Sequence, residues 1–333
     1  MIARSMRQIQ LQDWISDMRQ AYVDPLLLLE DLGLTGSDVD LAVNIGEFPF
    51  RVPRPFASRM GQCDPHDPLL LQVLPRALEF IETPGFGVDP VGDLKSRITP
   101  SLLQKYHGRA LLVMTGGCAI NCRYCFRRHF PYAESVGTAQ IERAIAEIQR
   151  DSSLTEIILS GGDPLLLKDD HLAEVVVELA AVPHLRRVRV HTRLPVTIPA
   201  RVTDSLLQAL TGTRLTPVMV LHVNHPNEMD AELAAALALC SNAGIQLLNQ
   251  SVLLREINDD ADTLATLSEK LFAASVLPYY VHLLDPVAGA AHFDVRESAA
   301  QSIATALRER LPGYLVPRFV RELAGENAKT PIA

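Results

Sequence analysis

The sequence predicts an α/β protein, a partial (βα)6-type barrel with a helical and irregular lobe at its N-terminus. Three observations point there. From residue 109 onward, short apolar runs rich in β-branched residues alternate with stretches of helical periodicity, the pattern of βα units and a parallel sheet. Polar residues gather just behind those runs, where parallel folds build their sites. The barrel portion, roughly 215 residues, falls short of the roughly 250 typical of a closed eightfold barrel, so an open barrel is expected.

Residues 1–100 form the first region. Apolar residues from Trp14 to Leu34 recur at helical spacing, with Gly33 and Gly36 as a stop, so one helix is expected over 14–34. FPFRVPRPFASRM (48–60) and CDPHDPLLLQVLPRALEF (63–80) are too proline-rich for long strands. TPGFGVDPVGD (83–93) reads as an extended connector. The barrel is assigned to 101–323. Its strands are expected at 109–114, 156–159, 188–191, 218–223, 246–248 and 279–284, with 314–320 as a candidate for one more. Helices are expected at 139–150, 171–181, 228–242 and 295–309. A short tail, 324–333, carries Lys329.

Composition narrows the function. Hydrophobic residues make up 48% of the 333-residue chain and charged residues 21%, an ordinary globular balance. A net charge of −8 argues against a nucleic-acid partner, since phosphate binding draws on a basic surplus. The basic patches at Arg127-Arg128 and Arg186–Arg189 are short. No run reaches the roughly 18 apolar residues that cross a bilayer, and the N-terminal MIARSMRQIQLQDW has no apolar leader core. A cytoplasmic protein without a membrane partner is expected.

Five cysteines, three of them within eight positions, do not form a disulfide framework. Cys118, Cys122 and Cys125 stand in a C-x3-C-x2-C pattern. Thiolates are the usual ligands of iron–sulfur clusters, and three ligands leave one iron open to a substrate or cofactor. His129 follows Cys125 by four, which leaves a Cys3His zinc site, and with it a metal-stabilised binding protein, as the competing reading. Cys63 and Cys240 read as ordinary thiols.

That cysteine spacing, directly behind the first barrel run, resembles the radical S-adenosylmethionine (SAM) superfamily. The resemblance implies a [4Fe–4S] cluster on the three cysteines, SAM on its open iron, and an external electron donor. Ser160-Gly161-Gly162-Asp163-Pro164 then matches the family's glycine-rich turn for the amino group of SAM, with Asp163 where a glutamate is usual. His222 and Gln250 match further SAM contacts, and Arg193 is a candidate for the SAM carboxylate. On the residues alone, a GGD is only a turn and a lone histidine at a strand end is more often structural.

The resemblance narrows over residues 47–333 to the lysine 2,3-aminomutases. It is carried by CRYCFRRHF (122–130), LSGGDPLL (159–166), NHPNE (224–228), NQSVLLREIND (249–259), LPYYVHLLD (277–285), AHF (291–293) and VPRFVRELAGENAKTPI (316–332). The resemblance implies pyridoxal phosphate (PLP) on Lys329, although only Gly325 remains of the family's glycine-rich turn. By itself Lys329 reads as a solvated tail lysine. Tyr106 and Arg109 match the surroundings of PLP, Arg109 suiting its phosphate. Arg127 matches the clamp on the substrate carboxylate. Asp285 and Glu322 match the acids that hold the distal ammonium of L-lysine, Glu322 in place of an aspartate. Without the resemblance, Arg127 and Glu322 read as surface charges. The ending at Ala333, soon after Lys329, resembles the bacterial branch that makes (R)-β-lysine for elongation factor P, where a synthetase-like partner attaches it. A mutase for free lysine, or for another amino acid such as glutamate, is the alternative.

Overall fold

A computed structural model describes residues 14–43 and 48–333. The N-terminal stretch without a leader core therefore lies largely outside the described residues. One sheet of ten strands runs in sequence order, from β1 (Arg97–Thr99) and β2 (Leu102–Tyr106) through β3 (Arg109–Thr115), β4 (Glu156–Gly161), β5 (Arg187–Thr192), β6 (Thr216–Leu221), β7 (Gln246–Leu253), β8 (Leu277–Leu283) and β9 (Arg318–Arg321) to β10 (Thr330–Pro331). Neighbours from β3 to β9 pair in parallel, while β1, β2 and β10 join antiparallel. The six expected strands and the candidate seventh make up this parallel set. Among the described residues β1 and β10 do not pair, so the barrel is open, as expected.

Strand alternation decides which side chains face inward. In β5, Val188, Val190 and Thr192 are buried while Arg187, Arg189 and His191 line the barrel cavity. In β7, Gln246, Leu248, Gln250 and Val252 line it, and Leu247, Asn249, Ser251 and Leu253 are buried on the other side. The outer layer is helical. α1 (Thr138–Arg150) buries Ile141, Ala144, Ile145 and Ile148, and α2 (Asp169–Ala180) buries Leu172, Val175, Val176 and Leu179, the i, i+3, i+4, i+7 stripe of a packed helix. α3 (Asp204–Thr211), α4 (Ala231–Asn242), α5 (Ala261–Ala273) and α6 (Glu297–Arg310) complete the layer. Thr203, Asp230 and Asp260 cap α3, α4 and α5 through their side chains.

Several expectations are corrected. The single helix over 14–34 is broken: a helical stretch ends at 19, Tyr22 bridges to Val52, and a new helix, Pro25–Asp31, starts with Asp24 as cap and proline at its first position. A proline fits that position and cannot sit inside a longer helix. The helix expected at 228–242 begins at Ala231, because Glu228 turns back to bond the backbone of Asn224 and His225. α3 and α5 were not anticipated. The connector at 83–93 is mostly turns, tied to the barrel by Gly87 against Val287.

The N-terminal lobe has its own core, including Leu28, Leu29, Val52, Phe56, Leu69, Leu70, Val73 and Leu74. Ile120, from between the first two cluster cysteines, is buried in that same core. The lobe thus anchors the cysteine loop from outside the barrel.

Candidate active site

A cavity of about 800 Å³ runs through the barrel interior, from Glu156, Arg187 and Gln246 at the amino ends of their strands to the loops behind the carboxyl ends. Every site residue named from the sequence lines it: Cys118, Cys122, Cys125 and Arg127 behind β3, Gly161, Gly162 and Asp163 at the end of β4, Arg193 behind β5, His222 behind β6, Gln250 on β7, Asp285 behind β8, Glu322 behind β9, Tyr106 and Arg109 on the hairpin β2–β3, and Lys329 ahead of β10.

At one end sit the three cysteines. The Cys125 N–H closes a turn on the Cys122 carbonyl at 3.1 Å. Burial pushes the Cys118 thiol well up, helped by Cys125, and pushes Cys125 up to about 11, helped by Cys122. Thiols in such a setting ionise when a cationic centre meets them, which is what iron supplies. Among the described residues no group of three His, Cys, Asp or Glu side chains is arranged to hold a single metal ion. His129 faces the Ala288 carbonyl at 3.2 Å instead of joining the cysteines, so a Cys3His zinc site is not formed. Three cysteine thiols lining one end of a cavity are the donor set that an iron–sulfur cluster takes.

The cysteine loop is clamped from two sides. Glu79 of the lobe, buried, takes Arg123 Nε at 2.7 Å, Arg123 Nη2 at 2.6 Å and Arg128 Nη2 at 2.8 Å. On the barrel side the Gly162 and Asp163 N–H groups donate to the Thr115 and Gly117 carbonyls at 2.6 and 2.7 Å. A Cβ on Gly161 would run into the Thr115 carbonyl, and one on Gly162 into the Gly117 carbonyl. The two glycines are therefore demanded by backbone lying on backbone. Asp163 has both carboxylate oxygens filled, by the N–H groups of Leu165, Arg193 and Leu194 and by the Thr192 hydroxyl, so its side chain holds the turn between β4 and the segment behind β5. Burial raises its carboxyl and those bonds oppose the rise.

Arg193 points to the cluster end. Its Nη1 lies 2.8 Å from Cys122 Sγ and 2.6 Å from the Tyr124 hydroxyl, and its Nη2 bonds Gln72 at 2.7 Å and Glu228 at 3.0 Å. Three histidines, His191, His222 and His282, line the cavity with a buried Nε2 that has no partner. Burial lowers all three, assisted by nearby cations, His222 to about 4, so they are neutral at pH 7. Such unmet groups suit the polar atoms of a ligand such as SAM or PLP.

The opposite end is a chain of alternating charge. Asp93 takes Arg127 at 2.7 Å and Lys105 at 2.5 Å; Lys105 takes Glu322 at 2.8 Å; Lys329 takes the other oxygen of Glu322 at 2.7 Å. Lys105 on β2 and Glu322 behind β9 thus bridge the open side of the barrel. Lys329, far from a solvated tail residue, has its Nζ inside the cavity, 5.8 Å from the Tyr280 ring centre. Burial would raise Glu322, but Lys329 and Lys105 outweigh it and hold the carboxyl down to about 2. Asp285 is pushed up to about 7 by burial and by Glu322, and its Oδ1 is buried without a partner. Arg127, buried, uses Nε on Asp93 and Nη1 on Ser160. Arg109 lies over the Tyr106 ring at 4.6 Å.

The profile of the Radical SAM superfamily matches residues 112–267. The chain is 47% identical to the L-lysine 2,3-aminomutase of Escherichia coli (strain K12) over 96% of its own length and 94% of that protein's. It is 46% identical to the L-lysine 2,3-aminomutase of Haemophilus influenzae over 96% of its length and 95% of that protein's. The chain belongs to the L-lysine 2,3-aminomutase family of radical SAM proteins. A more distant member, the L-lysine 2,3-aminomutase of Clostridium subterminale, is 37% identical over 83% of this chain and 67% of that protein. Membership implies a [4Fe–4S] cluster, SAM and PLP as cofactors.

Sequence reasoning missed Glu79, Asp93, Lys105, Tyr132 and His282. Tyr132 donates to the Gly161 carbonyl at 2.7 Å. Only His282 carried a usable signal, its place on an expected strand beside Tyr280. The others lie in the irregular lobe, on the short strand β2 or in the loop behind the cysteines.

Proposed function

We propose that the protein is a radical SAM, PLP-dependent lysine 2,3-aminomutase that converts L-lysine to (R)-β-lysine for the modification of elongation factor P. The observation that carries this reading is a single cavity with three cysteines at one end and Lys329, among acids, at the other. When bound, the cluster and SAM supply a radical able to take hydrogen from an unactivated carbon, and PLP holds the migrating nitrogen.

The residues of this chain do the positioning. Arg127, steadied by Asp93 and Ser160, presents its remaining edge to the substrate carboxylate. Asp285, with a free buried oxygen, receives the distal ammonium; the arriving cation favours its ionised form. Glu322 is shared between Lys105 and Lys329, and engagement of Lys329 by PLP frees one of its oxygens for the same ammonium. Arg109 and Tyr106 hold the phosphate side of PLP. Gln250 and His222 present polar atoms toward SAM, and the Gly161–Asp163 turn locks the wall behind it. A glutamate substrate would bring a second carboxylate against Asp285 and Glu322, which disfavours it. The partners of this reading are L-lysine, a low-potential electron donor, and, downstream, the synthetase-like enzyme that charges elongation factor P. It places the protein in the cytoplasm. No helix among the described residues is long and apolar enough to cross a membrane.

An anaerobic turnover assay tests the reading. Reconstituted protein receives L-lysine, SAM, PLP and a strong reductant, and products are resolved by chiral chromatography with mass detection. SAM-dependent (R)-β-lysine is expected. Iron-loaded protein that leaves L-lysine unchanged overturns the substrate assignment.

A further inference from the structure

Arg193 was expected at the SAM carboxylate, yet its terminal nitrogens are committed elsewhere. Nη1 meets Cys122 Sγ at 2.8 Å, and the guanidinium is locked by the Tyr124 hydroxyl, Gln72 and Glu228 and flanked by the Phe56 ring at 5.3 Å. Arg193 is buried, and so are Gln72, Tyr124 and Glu228. Glu228 is itself pinned through Oε1 by the N–H groups of Asn224 and His225 and by the Gln72 amide. The charge cannot swing away, and in this dry setting it acts at short range on one cysteine sulfur.

We propose that Arg193 sets the reduction potential of the cluster by donating a charge-assisted N–H···S hydrogen bond to the Cys122 thiolate, with Glu228 as the counter-charge that moderates it. The inference rests on the cluster assignment above. One electron passes from the external low-potential donor to the cluster; Arg193 gives up neither electron nor proton. A donor on a ligand sulfur stabilises the more electron-rich state, so the bond makes the cluster easier to reduce. Arg193 is thus a positioning and tuning residue, distinct from the groups that touch substrate.

The two members of the pair act in opposite directions, which gives the test its force. The reconstituted holoenzyme is titrated with a graded reductant and the reduced cluster is followed by electron paramagnetic resonance. Arg193→Met removes the donor and the charge. Its midpoint should fall by at least a tenfold change in the reduction equilibrium, about 59 mV for one electron. Glu228→Gln keeps backbone-facing acceptor capacity but strips the counter-charge, so its midpoint should rise. Arg193→Lys retains the charge and should lie between Arg193→Met and wild type. A purely structural tie would lower stability and leave the potentials alone, so Arg193→Met and Glu228→Gln clusters at the wild-type midpoint overturn the proposal. If Arg193→Met takes up no iron, Glu228→Gln decides: a raised midpoint supports the proposal and an unchanged one overturns it. Wild-type protein that binds no cluster would instead defeat the cluster assignment itself.

Discussion

The two ends of the cavity are built on opposite principles. At the cysteine end the buried cations are answered: Arg123 and Arg128 by Glu79, and Arg193 by Glu228. At the lysine end the balance is left open. Asp285 keeps an oxygen without a partner, and Glu322 is shared between two lysines, one of which is the residue read as the PLP anchor. A charge-compensated buried network is rigid, and breaking it is costly. An unsatisfied buried acid is itself costly until a ligand cation meets it, so it selects for one. The first arrangement holds a prosthetic group in place; the second discriminates among substrates.

The sharpest way to break this contrast is Cys122→Ala. It should abolish cluster assembly and all turnover while leaving the chain folded, read by iron content, visible absorbance and circular dichroism. Fully active Cys122→Ala would refute the cysteine end outright. Lys329→Ala comes next. It should lose the absorbance of bound PLP and nearly all turnover but keep its iron, showing the two ends to be separable; an unchanged spectrum would sink the PLP assignment.

Asp285→Asn probes selection. The loss of a charge-assisted contact in a buried site, about 2–3 kcal/mol, predicts roughly a 100-fold lower kcat/KM for L-lysine with normal iron and PLP content. The same residue predicts a pH profile. Its carboxyl titrates at about 7, and only the ionised form receives an ammonium, so kcat/KM should climb as pH rises through about 7. Asp285→Asn should flatten that limb; a limb that persists assigns it to another group. The smallest effect on activity belongs to Glu79→Gln, which touches no ligand. It should cost about 3 kcal/mol of stability by leaving buried guanidiniums short of charge, seen as a lower Tm, with turnover per iron close to wild type. An unaltered Tm would mean that the lobe does not clamp the loop.

Much of this was legible in the chain itself. The parallel strands announced themselves by short runs rich in β-branched residues, since the face that meets the helices must be apolar while the cavity face can carry polar groups. The cysteines stood out by spacing, and the polar residues by their position behind strands, which a βα fold sends to one rim. The N-terminal helix was misread because periodicity ignores what Pro25 does to a helix started upstream. α3, at 8 residues, is too short for its periodicity to stand out, whereas the Leu264, Leu267 and Leu271 stripe of α5 was there to be read.

By itself, then, the sequence determined the run of parallel strands, the rim on which polar residues gather and the cysteine triplet, since these follow from local periodicity and covalent spacing, whereas Lys329 read as a tail lysine until the family resemblance gave it a role. Only the tertiary structure decided the partners. Arg193 meets Cys122 across 71 positions, Arg123 meets Glu79 across 44, and Lys105 meets Glu322 across 217. A charge shows its residue type in a sequence but not the one it will be buried against. That depends on which loops the closing sheet brings within about 3 Å, the distance at which a hydrogen bond forms.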